Sequence, residues 1–76
     1  MKKELFDMLM SQAIAERNKA ILTLNILSES PAGIGDHSTT DFYNNANEAL
    51  SMLVDADDKV SALNNYFTST KPQLNG

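Results

Sequence analysis

Ser30-Pro31-Ala32-Gly33-Ile34-Gly35-Asp36-His37-Ser38 is the one stretch that interrupts helical periodicity before the tail. Proline at 31 cannot continue a helix, and Gly33 and Gly35 can take the positive φ of a tight reversal. Ser38 followed by Asp41 has the form of a capping box opening a second helix. The stretch therefore predicts an all-α chain: a helix over about 3–28, a turn over 29–38, and a second helix over about 39–68 folding back antiparallel on the first. Residues 71–76 show no periodicity and are expected to form a flexible tail.

Upstream of the turn, Phe6, Met10, Ala13, Ala20, Leu24 and Leu27 recur at alternating intervals of four and three, with Arg17 standing in the same row. Ile14 and Ile21 flank that row. This is a heptad seam, the pattern that packs one helix along another. A second apolar row, Leu5, Met8, Ala15, Leu22 and Ile26, lies on the far side of the same helix. Between the two runs a polar stripe, Glu4, Ser11, Asn18 and Asn25, spaced by seven. A helix apolar on two faces is expected to be covered on two faces.

Downstream, the seam is more regular: Phe42, Ala46, Ala49, Leu53, Ala56, Val60, Leu63 and Phe67, widened by Leu50, Met52 and Tyr66. Asn44, Asn47, Glu48, Ser51, Asp55, Asp58, Ser61 and Asn65 make the opposite side polar. Aligned about the turn, the seams set Ala20 against Ala49, Arg17 against Leu53 and Ala13 against Ala56. Facing alanines would let the helices approach near the short end of the usual range of about 8–10 Å. Only the first helix then has an apolar outer row. Its expected partner is a second copy, giving a dimeric four-helix bundle or a higher oligomer with the second helices outside.

Seventy-six residues without cysteine leave neither a disulfide nor a thiolate zinc site to reinforce a small core, and association is the common remedy. Six Lys and Arg against ten Asp and Glu give a net charge of −4, which argues against nucleic acid as a partner. Apolar residues, 42% of the chain, are too broken up for a membrane span. Met1-Lys2-Lys3 is followed by Glu4, Asp7, Gln12 and Glu16 rather than the core of a signal peptide, so a cytoplasmic protein is expected.

Candidate chemistry is confined to two places. Asp36 and His37, beside Gly33 and Gly35 at a helix start, could present backbone amides to an anion. The favoured reading is that they cap the turn, because a lone histidine makes neither a metal site nor a nucleophile–base pair. Arg17 could contact a ligand at mid-helix; the favoured reading packs its alkyl stem along the seam and sends the guanidinium to an acid, with Asp57 the nearest candidate. Asp55, Asp57 and Asp58 point in different directions on a helix and do not converge on a metal, and Asp55 with Lys59 reads as a surface pair. No enzyme, metal or cofactor is expected.

The Pro31-Ala32-Gly33-Ile34-Gly35-Asp36-His37 segment, framed by two heptad-patterned helices, resembles a group of short helical-hairpin proteins of tailed phages, including those of marine cyanobacteria. In that group a Pro-x-Gly-Ile-Gly-Asp/Glu-His turn joins two helices of similar length. The resemblance extends from about 12 to 67 and implies a phage origin and a hairpin; it carries over no functional residue. The expectation is a small non-enzymatic phage accessory protein, acting through a host or phage protein as an oligomeric hairpin. The alternative is an anti-defence protein that sequesters a nucleotide messenger through Gly33, Gly35, Asp36 and His37, or through Arg17.

Overall fold

In the computed structural model the chain forms two helices, α1 (Lys3–Glu29) and α2 (Thr39–Phe67), packed side by side. The structure describes residues 1–29 and 39–68, and no strand occurs among them. The turn motif from Pro31 to Ser38, its part in the capping box and the tail all lie outside the described residues. No described helix is long and apolar enough to cross a membrane.

Local chemistry accounts for the helix ends. Glu4 and Asp41 place negative charge in the first turns, where unpaired amides favour it. Lys3 stands at the same end of α1, and its ammonium donates to Asp7 Oδ2 at 2.7 Å. That hydrogen bond, and behind it the carboxylate's charge, raises the Lys3 pKa above its ordinary value. Neither last turn carries a basic residue. Hydroxyls serve instead: Ser28 Oγ donates to the Asn25 carbonyl at 2.8 Å and Thr68 Oγ1 to the Asn64 carbonyl at 2.7 Å.

The two seams form the core. Ala13, Ala20, Ala49, Ala56 and Leu63 are buried, with Ala20 and Ala56 wholly inaccessible. Phe6, Met10, Arg17, Leu24, Leu27, Phe42, Ala46, Leu53 and Val60 are half-buried. The molecule measures 55 × 25 × 16 Å, one layer of helices in which neither has a second neighbour. In one layer only a short side chain between the two axes can be fully covered. Larger seam residues splay toward the edges and stay partly wet.

Two ion pairs cross between the helices, one at each edge of the seam: Arg17 Nη1 lies 3.8 Å from Asp57 Oδ1, the acid expected for it, and Lys59 Nζ lies 3.5 Å from Glu16 Oε1. Leu9 and Ala13 share a groove with Leu63 and Phe67.

Candidate interaction surfaces

The outer row of α1 is open to solvent. Leu22 is 60% exposed and Ile26 56%, and Leu5, Met8 and Ala15 are exposed with them. On the helix these positions continue a three–four spacing whose intervening members are Gln12 and Lys19. Both are exposed, so the row is apolar at its two ends and polar about Ala15. Gln12 and Lys19 belong to the same stripe and divide its five apolar members.

The second helix does not match the one-sided expectation. Tyr43, Leu50, Met52, Val54, Tyr66 and Phe67 are all exposed, so Leu50, Met52 and Tyr66 do not widen the buried seam and Phe67 does not close it. The expected asymmetry, an apolar outer surface on α1 alone, does not hold. A residue one place beyond the seam is covered only where a third helix lies against it, and the hairpin has none.

These exposed residues divide between the two edges of the hairpin, which the cross-helix ion pairs distinguish. Asp57 follows Leu50 by seven residues and Leu50 follows Tyr43 by seven, so all three share one edge of α2. Arg17 meets Asp57 there, and Ile14 and Ile21 flank the seam of α1 on the same side. This edge joins Ile14, Ile21, Tyr43 and Leu50 into one lateral face, extended by Val54. Ile14 is half-buried and the other four are exposed. The Phe42 and Tyr43 rings meet edge to face at 5.7 Å, tying the end of this face to the seam.

The opposite edge carries a groove of about 370 Å³ lined by Leu9, Ala13, Ala62, Leu63 and Phe67, with Gln12, Glu16 and Lys59 at its rim. Lys59, expected to pair with Asp55, reaches across to Glu16 instead. It lies within reach of both acids on the same edge, and the other helix supplies the nearer one. A second recess beside it gathers Glu16, Lys19, Glu48, Ser51, Met52, Asp55 and Lys59. The groove can take an apolar side chain; its one ion pair is exposed and contributes at most about 1 kcal/mol.

Of the residues considered for an anion, Gly33, Gly35, Asp36 and His37 lie outside the described residues. Arg17 is half-buried, with its guanidinium turned to Asp57. Among the described residues no three His, Cys, Asp or Glu side chains gather as a metal site requires. Compared with protein families, with curated proteins and with solved structures, the chain matches none.

Proposed function

We propose that this chain is a small non-enzymatic accessory protein of a tailed phage, acting by protein–protein contact as an oligomeric helical hairpin. The phage assignment rests on the resemblance of the turn motif. The contact reading rests on one observation: among the described residues no large side chain is fully buried, while large apolar side chains stand exposed on both helices. A fully buried Leu or Ile contributes about 1.5–3 kcal/mol, and half-exposed ones forgo much of it unless another chain covers them. Leu5, Met8, Ala15, Leu22 and Ile26 form one such face, and the lateral edge forms another. A hairpin with two apolar faces can hold a copy of itself and a different protein together.

The test is affinity capture with the tagged full chain from phage-infected host cells, beside light scattering on the purified chain. A protein recovered in stoichiometric amount, and lost with Leu22→Glu, is the expected result. No stoichiometric protein, together with a monomeric mass at every concentration, would overturn the reading.

A further inference from the structure

We infer that Asn75 is a site of spontaneous deamidation, in which the backbone nitrogen of Gly76 closes onto the Asn75 side chain, while the two helices hold the other asparagines out of this reaction.

The chain has eight asparagines, and Asn75 alone precedes a glycine. The reaction needs the nitrogen of the following residue at the side-chain carbonyl carbon, Cγ. A side chain on that following residue crowds the approach, and glycine has none. Asn18, Asn25, Asn44, Asn45, Asn47, Asn64 and Asn65 are each followed by a residue with a Cβ.

The fold adds a second barrier. Those seven all lie inside α1 or α2. In a helix the nitrogen after each asparagine donates its hydrogen to the carbonyl four residues before it, and the backbone dihedrals are fixed. It neither loses that hydrogen readily nor swings onto the neighbouring side chain. Toward the helix ends, hydroxyls add to the hold: Ser28 Oγ donates to the Asn25 carbonyl and Thr68 Oγ1 to the Asn64 carbonyl. Asn75 lies past Phe67, the last residue of α2, and Pro72 stands between them. Proline lacks the N–H and disfavours a helical residue before it, so the ladder of α2 is not carried on to Asn75.

The step balances without oxidant, reductant or cofactor. The Gly76 nitrogen gives up its proton and bonds to Asn75 Cγ. The bond from Cγ to the side-chain nitrogen breaks, and that nitrogen leaves with the proton as ammonia. Water then opens the five-membered imide at either carbonyl. One opening restores the ordinary backbone with aspartate in place of Asn75; the other leaves an isoaspartyl link through Cβ. Either product carries one negative charge more than the parent's −4.

Ageing the purified full chain in mildly alkaline buffer, beside Asn75→Gln and Gly76→Val, tests this. The parent should gain a more acidic band on isoelectric focusing. Fragmentation mass spectrometry should place the exchange of –NH2 for –OH, in aspartyl and isoaspartyl forms, at Asn75. That band should be lost from both variants over the same period. Helicity by circular dichroism should not change with conversion, because the site lies beyond both helices. Conversion at a helical asparagine ahead of Asn75, or a parent that converts no faster than Gly76→Val, would overturn the inference.

Discussion

Arg17 of α1 and Asp57 of α2 meet across one edge of the hairpin, 3.8 Å apart, with the arginine in the apolar seam and its guanidinium at the surface. Asp57 is well exposed and the geometry is loose, so the charge contact is worth about 0–1 kcal/mol. The alkyl stem among seam residues matters more. Arg17→Met should therefore leave stability within about 1 kcal/mol of the parent, whereas Arg17→Ala should cost more because the stem is lost too. Urea unfolding at fixed protein concentration measures both. A large loss in Arg17→Met would mean that the ion pair itself holds the helices together.

Ala20 is wholly buried and Ala49 nearly so, which leaves no room for further methylenes. Ala20→Leu or Ala49→Leu should destabilise the hairpin by roughly 1–3 kcal/mol. Ala15→Leu, on the exposed side of the same helix, is the control and should be close to neutral. Equal melting temperatures for Ala20→Leu and the parent would show that the helices stand further apart than the burial requires.

Leu63 is the one large side chain among the five buried residues, at 8% exposure. Its truncation to alanine should cost about 2–3 kcal/mol, near the low end for core leucines because the groove beside it already admits solvent. Leu22→Ala removes the same atoms from the outer row and should cost far less in a monomeric sample. Equal losses in chemical denaturation would mean that Leu22 is as covered as Leu63.

The contact between Glu16 and Lys59 can be checked through charge. Glu16→Lys brings two cations together with Lys59, and Lys59→Glu brings two anions together with Glu16; each should lose about 0.2–1 kcal/mol. The double exchange should recover most of the loss, and the coupling should fade as salt rises. Additive losses in the double exchange would place Glu16 and Lys59 out of each other's reach.

Much of the molecule could be read along the chain. Two seams with alternating intervals of three and four predict two helices, and the structure has α1 and α2 packed on those seams. The row Ala13, Ala20, Ala49, Ala56 and Leu63 was on the predicted contact line and is the buried core. Arg17 and Asp57 could be paired from sequence because a cation in an apolar row must send its charge to the nearest edge. Each of these follows from the 3.6-residue period, which determines the side of a helix a residue occupies whatever lies beyond it.

What lies beyond it was settled only in three dimensions. Sliding one heptad seam along another by a turn leaves apolar residues facing apolar residues, so periodicity does not choose the level. Only the placement of one helix against the other, seen in contacts such as Lys59 with Glu16, fixes it. The edges are undetermined along the chain for a similar reason. Leu50 and Tyr66 lie just outside the seam, where coverage depends on a third helix rather than on either of the two. Sequence thus determined which residues of each helix turn toward a partner; the pairing of levels and the faces left uncovered depended on where two separate helices came to rest against one another.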